Sequence, residues 1–162
     1  MNRTSQNDED IEFLNAVIAE ATRALENRHS PFAAAVVKNG RLLSLFSNET
    51  VASGSEIDHA EVLAIRRAFE ATSASDVENS TLYSSCEPCI MCLSTAFYAG
   101  IRRIVFAAPI EEAISRGSGD ANVKAAALIK FANLPISLEQ SSTLASTVIK
   151  LFDIAMKKRG KL

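Results

Sequence analysis

Apolar side chains recur at helical spacing near the start of the chain. Ile11, Leu14, Ile18, Ala21 and Leu25 share one stripe, which predicts a helix over about residues 8–27 with Asn7 or Asp8 as its cap. His29-Ser30-Pro31 breaks the pattern, and Phe32 to Val37 is a run of small apolar residues suited to a buried strand. Asn39-Gly40 then reads as a two-residue hairpin turn into a second strand, Arg41 to Phe46. Ser47 to Ile57 is polar and without period, so a loop is expected. Asp58 stands where a helix cap belongs, and Val62, Ile65 and Phe69 follow at core spacing through about Thr72.

The second half alternates in the same way. After a loop over Ser73 to Ser80, Thr81 to Ser85 reads as a strand that runs directly into Cys86-Glu87-Pro88-Cys89. Proline suits the opening turn of the helix expected over Cys89 to Ala99, because its missing N–H has no partner there, and Gly100 marks the stop. Arg103 to Ala107 is a strand ended by Pro109, Ile110 to Gly119 a loop, and Ala121 to Phe131 a helix capped by Asp120. A short strand, Pro135 to Leu138, precedes a last helix whose core stripe is Leu144, Val148, Leu151 and Ala155. With no repeat or low-complexity tract, residues 1–162 read as a single α/β domain with helices on both faces of a sheet. Functional groups in such domains gather at strand ends.

Composition narrows the class. At 162 residues and 48% hydrophobic, the chain can build a core without disulfide staples. Lys and Arg number 17 against 19 Asp and Glu, so no overall excess of positive charge attracts a polyanion. Nucleic acid is therefore not the expected partner, and the one basic cluster is the tail Lys157, Lys158, Arg159 and Lys161. The cysteine count is odd, and the stretch Met1 to Asp10 is polar and acidic where a signal peptide would be basic and then apolar. A soluble, cytoplasmic, reducing setting is expected, with no membrane partner.

Two stretches carry chemistry: His59-Ala60-Glu61 and Pro88-Cys89-Ile90-Met91-Cys92. His59, Cys89 and Cys92 can supply three ligands to a tetrahedral zinc and leave the fourth corner for water, the pattern of a catalytic site. Glu61 is then the proton carrier. Each part has a plainer reading: Asp58-x-x-Glu61 is also a capping box, and a C-x-x-C is often redox-active. Cys86 as a fourth ligand would give a closed structural zinc module. Together, in this order, H-x-E and P-C-x-x-C form the signature of zinc-dependent nucleobase deaminases.

On these motifs the chain resembles the cytidine-deaminase-like superfamily, and within it bacterial guanine deaminases and tRNA adenosine deaminases. Pro31-Phe32-Ala33-Ala34 is similar to the family's P-F-G-A element, and Thr81-Leu82-Tyr83 and Arg102-Arg103-Ile104-Val105 follow its strands, so the likeness covers roughly residues 28–120. The resemblance implies a three-layer α/β/α fold with a five-stranded mixed sheet, one zinc per chain, and a homodimer in which the last helix packs against the partner. It gives Asn48 the role of the asparagine that contacts the base and makes Phe32 and Ala60 substrate contacts. It also offers Asp120 as the acidic residue that guanine deaminases carry beyond the fourth strand, beside its plainer reading as a helix cap. Cys86 before Glu87-Pro88-Cys89 is the guanine deaminase choice, where the tRNA enzymes usually have leucine. Ser55-Glu56-Ile57-Asp58-His59 departs from the family's D-P-T-A, which puts Glu56 and Asp58 at the pocket entrance. The expected reaction is hydrolysis of guanine to xanthine and ammonia. A tRNA adenosine, another base or nucleoside, and an amino-triazine are the alternatives.

Overall fold

Strand β1 (Ala33–Lys38) is the seam of the sheet, antiparallel to β2 (Arg41–Ser47) on one side and to β3 (Thr81–Cys86) on the other. Strands β4 (Arg103–Ala108) and β5 (Ser137–Gln140) extend it in parallel, giving the order β2-β1-β3-β4-β5. This computed structural model describes residues 3–160, with side chains at 8–158 and 160. The hairpin forms because Asn39 (φ 51°) and Gly40 (φ 73°) both take the left-handed conformation that a type I′ turn needs.

Helices α1 (Arg3–Glu26) and α8 (Ser142–Arg159) cover one face of the sheet. Helices α3 (Ala60–Ala71) and α5 (Ile90–Tyr98) cover the other, with α7 (Ala125–Ala132) packed against α5. The core is accordingly double. Leu14, Val17, Val105 and Val148 meet on the first face, and Val36, Ala64, Leu82, Leu93 and Ile104 on the second. Because both faces are covered, β1 and β3 read as nearly continuous buried runs rather than as an alternation. This is the three-layer architecture with a five-stranded mixed sheet that the sequence led us to expect.

A polar tie joins the first layer to the sheet. Tyr83 Oη donates to Asp10 Oδ1 at 2.7 Å, and Arg103 forks onto both Asp10 oxygens at 2.8 and 2.7 Å while also holding Glu139. One guanidinium thus ties α1, β4 and β5.

Several elements differ from expectation. Helix α1 begins at Arg3, so residues 7 and 8 lie inside it and neither caps it; the side chain of Asn7 is outside the described residues. The presumed loops contain short helices: α2 (Thr50–Ser53), α4 (Ala74–Val77) and α6 (Ile110–Ile114). The buried face of α3 is Ala60, Glu61, Leu63, Ala64, Ile65 and Ala68, whereas Val62 is half-buried and Phe69 is 39% exposed. Alanines let the helix settle close onto β1 and β2, which turns the bulkier residues outward. Helix α7 starts at Ala125 with Lys124 in the cap position, so Asp120 caps nothing. Strand β5 lies two residues later than predicted. Of the basic tail, Lys157 and Lys158 are exposed, and Lys158 Nζ donates to the carbonyl of Leu25; the side chain of Arg159 and all of Lys161 lie outside the described residues. Among the described residues no helix is long and apolar enough to cross a membrane.

Candidate active site

The N-termini of α3 and α5 converge beside the end of β3, and the residue in the cap position of each is a candidate ligand. His59 caps α3 and Cys89 caps α5, both with extended backbone, and neither side chain makes a capping hydrogen bond. Asp58 is therefore not the cap, and the Asp58-x-x-Glu61 box does not form. A cap left without its side-chain bond costs about 0.5–2 kcal/mol. Two adjacent helices forgo that stabilisation so that an imidazole and a sulfur can face each other.

Cys92 stands one turn into α5, on the same face as Cys89. Its sulfur lies 3.5 Å from that of Cys89 and 3.5 Å from His59 Nδ1, and Cys89 Sγ is 3.6 Å from the same nitrogen. A tetrahedral zinc about 2.3 Å from sulfur and about 2.0–2.1 Å from nitrogen needs ligand-to-ligand edges of about 3.5–3.8 Å. The trio fits that requirement, and it is the one such His, Cys and acid group found among the described residues. Cys86 is not part of it. Its sulfur sits 4.0 Å from the carbonyl of Pro109, and burial pushes its thiol well up, so it stays protonated.

The electrostatics of the trio mark it as strongly coupled. The sulfur contact with Cys92, and then the neighbouring His59, bring the Cys89 thiol down to about 4 against the cost of burial. The bond to Cys89 raises His59 to about 9. Cys92 is pushed up by the contact with Cys89 and by burial. To hold zinc the trio would give up these protons and bind as two thiolates and a neutral imidazole.

Glu61 lies in the first turn of α3 and is 7% exposed. Ser84 Oγ on β3 donates to its Oε1 at 3.0 Å, and Cys92 Sγ lies 3.3 Å from its Oε2. Burial, then the charge of Cys89, raises its pKa. A carboxyl held beside the ligands and tuned upward is placed to carry protons.

Above the trio opens a cavity of about 230 Å³. Phe32 and Asn48 form part of its wall, and Glu56 and Asp120 face it from two loops, with Glu87 and Ser118 beside them. Phe32 is braced by Phe152 of α8, ring centroids 5.1 Å apart. Asn48 Oδ1 accepts from both the N–H and the hydroxyl of Thr50, which leaves its NH₂ for a ligand. Ala60 is wholly buried in the core beneath and, like Asp58, does not line the cavity, so the structure does not bring either to the pocket wall. Ser84 and Glu87 were missed in the sequence, because each acts through a partner more than twenty residues away. Among the described residues no lysine or arginine lines the cavity.

The comparisons with known proteins agree with this geometry. A family model described as the cytidine and deoxycytidylate deaminase zinc-binding region matches residues 7–108. Guanine deaminase of Bacillus subtilis is 37% identical over 90 residues, 56% of this chain and 58% of that protein. The tRNA-specific adenosine deaminase of Aquifex aeolicus is 34% identical over 96 residues, 59% of this chain and 64% of that one. The aligned region thus spans less than two thirds of the length of these curated relatives. Among solved structures, guanine deaminase from Nitrosomonas europaea shares the fold with a TM-score of 0.75 at 20% identity, covering 90% of this chain and 83% of that chain.

Proposed function

The chain belongs to the cytidine and deoxycytidylate deaminase family, and on that premise we propose that it hydrolyses the exocyclic amine of a small, unphosphorylated aminated heterocycle. Guanine, yielding xanthine and ammonia, is the first choice. The observation that carries this reading is the lining of the cavity: Glu56, Glu61 and Asp120 face it and, among the described residues, no lysine or arginine does. A phosphate there would meet carboxylates and no lysine or arginine to pair with, whereas the ring N–H groups of a free purine find acceptors and its ring acceptors find the NH₂ of Asn48.

His59, Cys89 and Cys92 would hold one zinc per chain, which when bound supplies the hydrolytic nucleophile at neutral pH. Glu61 accepts a proton of the attacking water and passes it to a ring nitrogen; it then takes the second proton, from the hydroxyl now on the ring carbon, and delivers it to the departing amine as the carbonyl forms and the C–N bond breaks. Ser84 keeps the carboxylate turned toward the ligands through both transfers. Phe32 offers an apolar face to the ring, held in place from behind by Phe152. Asp120 and Glu56 accept from donors on its edge.

We place a second copy of the chain on the opposite side of α3 and α5. There Val62, Ile65, Phe69, Met91 and Tyr98 line an apolar groove of about 760 Å³, with Tyr98 85% exposed. Contiguous exposed apolar surface of this kind marks an interface. This is the helix pair that bears the candidate ligands, and α8, expected to meet a partner, lies on the other face of the sheet.

Ammonia release by zinc-loaded protein is measured against guanine, guanosine, adenine, cytosine, cytidine, ammeline and a tRNA anticodon stem. Turnover of guanine or another free heterocycle supports the reading, and turnover of the tRNA stem alone overturns it. The second outcome has its own motive in the likeness to a tRNA:A34 deaminase, TM-score 0.68 at 25% identity over 81% of this chain and 98% of that one.

A further inference from the structure

Glu87 connects β3 to the first ligand sulfur, and its side chain takes no part in the chemistry above. It is 6% exposed. Its Oε1 accepts the main-chain N–H of Ala125 at 2.7 Å, and its Oε2 accepts that of Ile110 at 3.3 Å. Its own N–H donates to the carbonyl of Ala108 at 2.8 Å.

These two donors are the ends of one stretch. Ile110 opens α6 and Ala125 opens α7, and the chain between them carries Ser118 and Asp120 to the cavity. A single carboxylate therefore closes the neck of the loop that roofs the pocket. Other ties on this stretch include the ion pairs of Lys124 with Glu111 and of Arg116 with Glu112 and Asp153, whose carboxylates are exposed. Water and salt weaken such pairs, whereas the bonds to Glu87 are dry and charge-assisted.

We propose that Glu87 is a positioning residue: by gripping Ile110 and Ala125 together it sets the height of Asp120 over the ligand trio and so governs how firmly the base is held. This rests on the cavity being the substrate pocket. Because Glu87 belongs to the same turn as Cys89, the roof is referenced to the metal centre itself rather than to the far side of the sheet. A loop whose ends are fixed samples fewer positions, which spares binding the cost of ordering it.

Two variants remove the grip from opposite sides. Glu87→Gln keeps one acceptor oxygen and sets an NH₂ against the other N–H. Ala125→Pro deletes the N–H that Oε1 accepts, at the first helical position where proline is tolerated and after Lys124, whose extended backbone (ψ 136°) suits the residue before proline. The first readout is limited trypsin digestion of zinc-loaded protein without substrate. Cleavage after Arg116 and Lys124 is expected to accelerate about 10-fold in both variants while cleavage elsewhere is unchanged and zinc content stays that of the parent. The second is a kinetic split, with KM rising about 10-fold and kcat falling less, and no further rise when Glu87→Gln is added to Asp120→Asn. Unchanged cleavage in both variants overturns the proposal, as does loss of zinc from both, which would make Glu87 a support of the ligands alone. If no compound in the panel is deaminated, the proposed function fails while the digestion still tests the grip on the loop.

Discussion

Ser84 Oγ on β3 reaches Glu61 Oε1 on α3 across 3.0 Å, joining the sheet to the candidate proton carrier inside the dry layer between them. The bond orients a buried carboxylate whose other oxygen faces Cys92 Sγ. Ser84→Ala is expected to lower kcat about 10-fold with KM little changed, and Glu61→Gln to lower it about 10²–10⁴-fold or more with zinc retained. Steady-state kinetics on metal-verified protein checks both. A Glu61→Gln protein as active as the parent removes the proton carrier from the proposed chemistry.

Metal binding should follow the trio and ignore the third cysteine. Elemental analysis is expected to give one zinc per parent chain, the same for Cys86→Ala, and markedly less for Cys89→Ala or Cys92→Ala. Chelation should abolish deamination, and added zinc restore it. Loss of zinc from Cys86→Ala would revive the closed structural module.

Asn48 offers a test of the pocket that spares the loop. An aspartate there keeps the oxygen that accepts from Thr50 but loses the NH₂ donors. Asn48→Asp is expected to reduce kcat/KM by about 10–100-fold, the worth of about 1.4–2.8 kcal/mol for a lost bond, with thermal stability near that of the parent. Equal activity would take Asn48 out of the pocket.

Acid stability should depend on Asp10. Burial alone would raise its pKa, but the bonds from Arg103 and Tyr83 outweigh it and hold the carboxyl below the usual carboxylate range. A depressed folded pKa contributes stability above the unfolded value, near 3.8, and loses it as pH falls further through the folded one. Asp10→Asn is therefore expected to destabilise the protein by about 2 kcal/mol at pH 7 and to flatten the fall in stability below pH ~4, read by urea unfolding across pH. An acid limb as steep as the parent's would place the titration elsewhere.

The ligand trio and Glu61 were legible because motif spacing, helix starts and the hairpin are all local properties. His59 and Cys89 could be found from residue type alone, although their standing in cap positions could not, since Asp58 is the better capping residue and the structure passes it over. The face of α3 was misread for a related reason. Its large residues, Val62 and Phe69, look like core, yet close approach to the sheet selects Ala60, Ala64 and Ala68. Asp120 drew a predicted helix start toward itself because aspartate favours caps, while here it faces the cavity. Ser84 and Glu87 carry no local signal at all. Their partners lie across the fold, and only the assembled sheet brings them together.

The metal trio and Glu61 fall between residues 59 and 92, whereas the roof of the pocket is the separate stretch from Ile110 to Ala125. Reaction and selectivity are thus written in different paragraphs of the chain. If the proposed function holds, exchanging the roof for that of a relative with Glu87 preserved is expected to change which ring is deaminated while zinc binding stays that of the parent.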